Sequence, residues 1–252
     1  MAADDHSGLR AFKVDLHIHT CLSPCGDWEM SPRDLVRRSL EAGLELIAVC
    51  DHNSSENAAA AMRAGERAGL SVLPGMEVCT REEVHVLALF ENLDRALAMQ
   101  EFVYAGLAGE NQPEVFGYQV VANEDNEVVC ENPRLLIGAT DHSLEQVVRR
   151  THALGGLSVG AHVDRPANGI INQLGFIPPD LELDAVEVSY RVPLAAARQR
   201  FPTIGALPCI TSSDAHFLKD IGRAATVFRM AAASLREIGL ALRAEAGRGV
   251  LG

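Results

Sequence analysis

Short apolar runs alternate with amphipathic helical patterns along most of this chain of 252 residues. Strand-like runs at 12–18, 45–50 and 71–78 are separated by helical patterns at 31–43 and 55–69. The first helical pattern starts at Ser31-Pro32, and the two patterns end at Gly43 and Gly69, residues typical of helix boundaries. This order predicts βαβ units that build a parallel sheet.

The same alternation continues through the rest of the chain. After a strand at 84–90 and a helix at 93–107, the predicted elements are helix 143–154, strands 157–163 and 184–189, helix 193–200, strands 208–213 and 224–229, and helix 232–246. Seven or eight strands of this kind predict one α/β domain over residues 1–252, a closed or distorted (β/α) barrel. In such barrels the loops at the carboxyl ends of the strands hold the active site.

Residues 109–142 interrupt this alternation. Strand-like runs at 118–121 and 127–130 flank a polar segment at 123–126. This pattern predicts a β-hairpin inserted in the barrel. We expect the insertion to act as a lid or as an interface.

The chain is acidic, since 22 Lys and Arg stand against 34 Asp and Glu, with a net charge of −12 and a pI near 5.2. Such a surface argues against an extended nucleic-acid-binding face, but not against a small anionic substrate or a short oligonucleotide. The amino terminus lacks a secretory pattern, and no apolar run approaches the roughly 20 residues that span a bilayer. We therefore expect a cytoplasmic protein without membrane contact, with its six cysteines reduced.

Imidazole and carboxylate groups stand at the ends of six predicted strands. His17 and His19 share one face of the first strand, because residues i and i+2 of a strand point the same way. The whole set is His17, His19, His52, Glu77, His85, His162, Asp214 and His216. Each alone is more often a cap or turn residue than a ligand, but their recurrence at one end of successive strands indicates a metal centre. The remaining histidines, which we expect at the surface, are His6, His142 and His152.

Mixed imidazole and carboxylate donors suit Zn, Mn or Fe(II), and this many donors exceed what one ion accepts. We therefore predict two or three divalent metal ions. Neighbouring ions can share a hydroxide that attacks phosphorus, and they can stabilise charge on the attacking and leaving oxygens of a phosphoryl transfer. Cys21 and Cys25 form an isolated C-x3-C motif nearby, but two thiols alone make no complete metal site.

Five motifs, in this order, resemble the motif set of the PHP (polymerase and histidinol phosphatase) family. They are His17-x-His19-Thr20, Asp51-His52, Gly75-Met76-Glu77, Ala161-His162 and Ser213-Asp214-Ala215-His216. The resemblance covers nearly the whole chain apart from the insertion. It implies a distorted (β/α)7-type barrel of the PHP kind, with a trinuclear metal centre that hydrolyses phosphate esters. It also implies that the eight side chains named above are ligands and that Glu77 bridges two ions. We assign catalytic roles to Glu77, Asp214 and His216.

The loop after the first motif departs from the family pattern H-T-x-x-S-D-G. Here Thr20 is followed by Cys21-Leu22-Ser23-Pro24-Cys25-Gly26-Asp27. The distance from Asp27 to the next predicted helix fits the family spacing. We therefore predict Asp27 as a further metal ligand and keep Cys25 as the alternative.

Two arginines are candidates for phosphate binding. Arg165 follows the His162 motif, and Arg191 follows the strand at 184–189. A guanidinium group can hold a phosphate with two parallel hydrogen bonds, although either side chain could instead pair with a surface carboxylate. Trp28 could stack on a base or ring of a substrate, or simply pack against its neighbours.

Together these features predict a metal-dependent phosphoesterase that hydrolyses small phosphate esters, such as nucleotides or other small-metabolite phosphates. One alternative is a 5'-3' exonuclease or phosphodiesterase that trims short oligonucleotides. A second alternative is a non-catalytic metal-binding module, as PHP domains sometimes are within polymerases. Such modules lack several ligands, whereas this chain keeps nearly all of them.

Overall fold

The computed structural model describes residues 8–251, so His6 lies outside the described residues. The strands are β1 (Arg10–Ile18), β2 (Leu46–Val49), β3 (Ser71–Cys79), β4 (His85–Leu89), β5 (Val120–Ala122), β6 (Val128–Glu131), β7 (Leu157–Gly160), β8 (Ala185–Val188), β9 (Cys209–Thr211), β10 (Thr226–Met230) and β11 (Gly249–Val250). The α-helices are α1 (Pro32–Glu41), α2 (Ala58–Ala68), α3 (Leu93–Ala105), α4 (Pro113–Phe116), α5 (Leu144–Ala153), α6 (Ile170–Leu174), α7 (Leu194–Arg200) and α8 (Leu235–Leu242). Short 3-10 turns lie at Pro202–Ile204, Leu218–Asp220 and Glu245–Gly247.

The boundaries of the helices follow from their terminal residues. α1 has Pro32 at its first position, where the missing N–H costs no helical hydrogen bond. α2 ends at Gly69, whose φ of 80° is a left-handed conformation that glycine adopts without steric cost. At α5, Ser143 accepts a hydrogen bond from Gln146 N, and the Gln146 side chain accepts one from Ser143 N. The start of α5 is therefore fixed locally.

The barrel sheet has nine strands in the order β11-β10-β1-β2-β3-β4-β7-β8-β9. β1 to β3 are parallel, and so are β7 to β9. β4 runs antiparallel to β3 and β7, and β10 runs antiparallel to β1, so the prediction of a parallel sheet is wrong for these two strands. Residues 80–84 alone connect β3 to β4, which is too short for the crossover that parallel neighbours need. Because of this reversal, His85 at the start of β4 pairs with Cys79 at the end of β3.

The sheet curls into a nearly closed barrel. Beyond β9, Ala215 O accepts a hydrogen bond from His19 N at 3.0 Å, which joins the last part of the sheet to the end of β1. One cluster of buried apolar side chains draws on β1–β4, β7–β10 and α8, with Leu16, Leu46 and Phe228 among its members. This packed interior supports the rim on which the candidate ligands lie.

The insertion contains the predicted hairpin, because β5 and β6 pair as a separate antiparallel sheet. The hairpin packs beside α2, where Asn57 bonds to both N and O groups of the β5 backbone. Arg63 and Arg67 pair with Glu124 at its tip. Later in the insertion, Ile137 lines the cavity over the candidate site.

The six cysteines are all free thiols; four are buried, and two, Cys25 and Cys130, are exposed. No helix within residues 8–251 has both the length and the apolar character needed to cross a bilayer. The cytoplasmic location stays a prediction.

His142 and His152 are half-buried rather than fully exposed, and each has a polar partner. His142 Nε2 lies 2.7 Å from the Phe102 carbonyl oxygen, and His152 Nε2 lies 2.9 Å from Asp184 Oδ2. The hydrogen bond with Asp184 raises the pKa of His152 above its usual value of 6.5, although partial burial opposes this.

We expect the His152–Asp184 pair to stabilise the fold in a pH-dependent way. A folded-state pKa above 6.5 means that the contribution is complete below pH 6.5 and is lost as the pH rises through the folded-state value. His152→Asn should therefore lower the free energy of unfolding by at most about 1 kcal/mol at acid pH and by less at alkaline pH. Urea unfolding of both proteins across this range measures the difference. A pH-independent difference would contradict the assignment.

Candidate metal centre

The rim of the barrel collects polar side chains from strands on all sides. β1 provides His17 within the strand and His19 just beyond it, and the loop after β2 provides His52. Glu77 lies near the end of β3 and His85 at the start of β4. The segments after β7 and β9 provide His162, Asp214 and His216. All eight of the family-implied ligands therefore meet at one end of the barrel.

Glu77 stands at the centre of this group and is only 1% exposed. Five imidazoles surround its carboxylate, at 2.8 Å (His85 Nδ1 and His162 Nε2), 3.0 Å (His52 Nδ1), 3.4 Å (His17 Nε2) and 3.5 Å (His19 Nε2). Burial alone would raise the pKa of Glu77, but the nearby His85 and His17 hold it well below its usual range. The side chain is therefore an anion at neutral pH.

Asp214 is the second central carboxylate. Its Oδ1 lies 3.4 Å from His19 Nε2 and 3.6 Å from both His17 Nε2 and His216 Nδ1. Burial opposes ionisation, but the neighbouring His17 and His19 hold the pKa of Asp214 far below its usual value. Its backbone has a φ of 48°, in the left-handed region. Arg223 donates to the carbonyls of Ser213 and Asp214 and so holds this conformation.

These residues fit a group of divalent metal ions. Donor atoms lie within 4.8 Å of one another in three sets: His19, His52 and His216; His17, His19 and Glu77; and His52, Glu77 and His85. Oδ2 of Asp214 pairs with Arg165 Nη1 at 2.6 Å, but Oδ1 is buried without a hydrogen-bond partner. Buried polar atoms normally have partners, so an unpaired Oδ1 that faces three imidazoles is consistent with metal ligation. Ion number and identity stay predictions.

The charge states of the imidazoles differ across the centre. Burial opposes protonation of His17, but Glu187, Glu77 and Asp214 outweigh it and hold its pKa well above the usual value. Burial and the neighbouring His216 hold the pKa of His19 well below the usual value of 6.5. Since a ligand must give up its proton before it binds metal, protons compete with metal more strongly at His17 than at His19.

Glu187 contacts the candidate ligand His17 from inside the barrel sheet. It is not among the site residues predicted from the sequence. It lies in β8 and is 1% exposed. Its Oε1 lies 3.1 Å from His17 Nδ1 and accepts a hydrogen bond from His162 N. When the ring nitrogen that does not bind the metal is hydrogen-bonded to a carboxylate, the tautomer and orientation of the imidazole are fixed. A charged residue inside an apolar strand is the only signal of this role in the sequence.

Ser23 and Asp51 hold the loop after β1 against the centre. Ser23 Oγ lies 2.9 Å from His19 Nδ1, and Asp51 accepts hydrogen bonds from Thr20 N, Thr20 Oγ1 and Ser23 Oγ, each at 2.7 Å. Asp51 therefore fixes the chain on both sides of Cys21. In the sequence it was notable as the neighbour of His52, without a role of its own.

We expect Glu187→Gln to weaken metal binding without removing a ligand. The glutamine keeps the shape of the side chain but loses the charge that faces the His17 imidazole and the backbone N–H of His162. Changes to such supporting residues cost roughly 10- to 100-fold in metal affinity. Titration of the metal-free protein against a competing chelator gives the affinity. Glu66→Gln, on the exposed side of α2, is the matched control, and equal affinities in the two variants would contradict the role of Glu187.

The loop at 20–30 places Cys25, not Asp27, against the centre. Asp27 Oδ1 accepts a hydrogen bond from Glu29 N at 2.9 Å, and Asp27 is not among the residues that line the cavity over the centre. Cys25 instead lines this cavity together with His52 and His216. Desolvation opposes its ionisation, but these imidazoles outweigh that effect and lower the pKa of Cys25 to about 6. Ligation by Asp27 stays a prediction that the side-chain position does not support.

The two predicted phosphate-binding arginines differ in position. Arg165 lines a cavity of about 290 Å³ with Cys25, Glu77 and Asp214, and its side chain is 38% exposed. Arg191 does not line this cavity; its Nε donates to the Tyr190 hydroxyl. Arg165 therefore lies at the cavity over the centre and Arg191 outside it, and phosphate binding by either side chain stays a prediction.

Trp28 is exposed beside the same loop. It is 58% exposed, and its ring centroid lies 5.2 Å from that of Tyr118 in the insertion. Tyr118 is also exposed, at 47%.

Known proteins resemble this chain in sequence and fold. An uncharacterized protein of Methanocaldococcus jannaschii is 30% identical over 100 residues, which cover 36% of this chain and 58% of that protein. A 5'-3' exoribonuclease of Haemophilus influenzae is 33% identical over 86 residues, which cover 33% of this chain and 30% of that enzyme. The chain thus spans less than two thirds of either relative.

The lesion-specific endonuclease PfuEndoQ of Pyrococcus furiosus has the same fold, with a TM-score of 0.71 at 17% identity over 96% of this chain and 58% of that one. The profile of the PHP domain matches residues 15–164, and that of the PHP-associated region matches residues 200–246. The first match covers more than half of the chain and includes His17, Glu77 and His162, so the chain belongs to the PHP domain family.

Proposed function

We propose that this protein is a metal-dependent phosphoesterase. The observation that carries the proposal is the convergence of six imidazoles and two carboxylates on one rim of the barrel, with Arg165 at the mouth of the cavity. When bound, divalent ions supply Lewis acidity and an activated water for attack on phosphorus. The family and the solved fold are consistent with this chemistry.

The residues around the centre have separate tasks in this proposal. Glu77 and Asp214 hold negative charge in a buried position and so keep cations close together. Glu187 orients His17, and Arg165 binds non-bridging phosphate oxygens as substrate enters. His216 has the most exposed side chain of the six imidazoles, at 19%, and therefore lies nearest to a bound substrate.

We favour small phosphate esters as substrates. The cavity of about 290 Å³ is at the small end of ligand pockets, which range from roughly 300 to 1,000 Å³. The net charge of −12 disfavours a long polyanion. A second candidate is removal of nucleotides from the 5' end of short oligonucleotides, supported by the exoribonuclease relative and by the exposed Trp28–Tyr118 pair, on which a base could stack.

One preparation tests these proposals. Bound Mn, Fe and Zn are measured in the purified protein, which is then assayed on p-nitrophenyl phosphate, bis(p-nitrophenyl) phosphate, nucleoside monophosphates and a short RNA labelled at its 3' end. We expect two or three metal ions per chain and hydrolysis that is lost in His17→Ala and Asp214→Ala. Activity that survives both substitutions would disprove the proposed site. Metal binding without hydrolysis of any substrate would support a non-catalytic module instead.

We expect Arg165→Met to lower kcat/KM by roughly 10- to 100-fold, because a hydrogen bond to a charged group contributes about 1.5–3 kcal/mol. Arg165→Lys should recover part of the loss, since lysine keeps the charge but not the paired geometry. Metal content should not change in either variant. Steady-state kinetics of Arg191→Met give the comparison, and an equal or larger loss there would reverse the assignment.

A further inference from the structure

Cys25 reaches the candidate metal centre from an exposed loop. It lines one cavity with His52, His216, Glu77 and Asp214, and its side chain is close enough to both imidazoles for them to lower the pKa of the thiol. The other exposed cysteine, Cys130, lies on β6 in the hairpin, and the remaining four are buried. Cys25 is therefore the thiol that combines exposure with contact to the metal-binding imidazoles.

The backbone of the loop fixes this position. Gly26 N donates to Ser23 O at 2.8 Å, and a Cβ on Gly26 would lie 2.5 Å from Thr20 O, so the turn closes tightly around Cys25. Asp27 N donates to His216 O at 2.9 Å, which ties the loop to the segment carrying a predicted ligand. With the Asp27 carboxylate occupied by Glu29 N, the loop presents sulfur to the centre.

A second observation marks the same cavity as a place for a cation. Asp214 is 5% exposed and lines the cavity with Cys25. Its Oδ2 pairs with Arg165 at 2.6 Å, but its buried Oδ1 faces His19 and His216 without a hydrogen-bond partner. The nitrogen atoms of His19, His52 and His216 lie within 4.8 Å of one another. The thiol lines the same cavity as two of these imidazoles, His52 and His216, and as the Asp214 carboxylate.

We propose that Cys25 is a thiolate ligand of the divalent metal held by His52 and His216, with His19 as the third imidazole. This subsite then has three nitrogens and one sulfur, and binding releases the thiol proton to solvent. Thiolate donors favour Zn, Fe(II) or Co(II) over Mn or Mg. The sets around Glu77 contain only nitrogen and oxygen donors, so the subsites differ in metal preference. The inference rests on the metal centre of the proposed function, but not on hydrolysis.

The spectrum of the cobalt-loaded protein tests the proposal. Metal-free protein is titrated with Co(II), and we expect a sulfur-to-cobalt charge-transfer band in the near ultraviolet. The band should disappear in Cys25→Ser and persist in Cys130→Ser. Cys25→Asp should still bind Co(II), but without the band, which separates loss of sulfur from loss of the fold. A wild-type protein without the band, or a Cys25→Ser protein that keeps it, would overturn the proposal.

Alkylation with iodoacetamide gives an independent readout. Peptide mass spectrometry follows Cys25 and Cys130 in the metal-free and zinc-loaded proteins. Zinc should slow modification of Cys25 by at least about tenfold, because a coordinated thiolate is a poorer nucleophile, and should leave Cys130 unchanged. Equal rates at Cys25 in both states would overturn the proposal. A protein that shows the cobalt–sulfur band but hydrolyses no substrate would contradict only the proposed phosphoesterase activity. A protein that hydrolyses phosphate esters but lacks the band would contradict only thiolate ligation by Cys25.

Discussion

Glu77→Gln should remove most of the bound metal and lower phosphoesterase activity by more than about 100-fold. Changes to supporting residues of metal sites already cost roughly 10- to 100-fold, and Glu77 contacts five imidazoles directly. Glutamine has nearly the same shape but no charge, so it cannot balance two adjacent cations. The loss should appear in metal content as well as in rate.

Metal analysis by mass spectrometry and steady-state kinetics measure these two effects. Glu66→Gln is again the control, because it makes the same chemical change on the exposed face of α2. Circular dichroism establishes that each variant is folded before the comparison. Full metal content in Glu77→Gln would show that the carboxylate is not a ligand.

Asp214→Asn should abolish activity while it preserves the fold. The φ of 48° at this position is tolerated by Asn better than by other non-glycine residues except Asp, so the backbone keeps its conformation. The amide supplies no negative charge to the imidazoles or to Arg165, which lies 2.6 Å from Oδ2. We expect a loss in kcat of more than about 100-fold.

Asp214→Ala separates the chemical role from the backbone role. Alanine also lacks the charge, but it is disfavoured in the left-handed region by about 1–2 kcal/mol. We expect both variants to be inactive. Only Asp214→Ala should have its free energy of unfolding lowered by about 1–2 kcal/mol, as measured by urea unfolding of the metal-free protein. Asp141→Asn is the control, since its side chain is 78% exposed. Equal stability of the two Asp214 variants would exclude stored backbone strain.

Much of the site could be predicted because its residues follow simple positional rules. The i and i+2 spacing of His17 and His19 places both on one strand face, and His52, His162 and His216 follow apolar runs closely. The order of these motifs along the chain then identified the family. These features depend on local sequence, so a single sequence carries them.

The remaining parts depend on contacts that no local pattern specifies. Glu187 meets His17 across 170 residues of sequence, and its partner cannot be inferred from the apolar strand that contains it. Whether Cys25 or Asp27 faces the centre depends on the hydrogen bonds of the loop. Asp27 N donates to His216 O, and the Asp27 carboxylate accepts a hydrogen bond from Glu29 N. The direction of β4 could have been inferred, because residues 80–84 leave room only for a tight connection.

The hydrogen bond from His19 N to Ala215 O also has a consequence for the order of folding. Glu77 and His85 lie on adjacent strands of one hairpin, so they can meet early, at little entropic cost. The contact between β1 and the segment after β9 closes a loop that runs from His19 to Ala215, which makes it a slow, non-local step. During synthesis, the amino-terminal histidines must therefore wait for Asp214 and His216 to emerge from the ribosome. We expect full metal affinity to be acquired only after His216 has been synthesised.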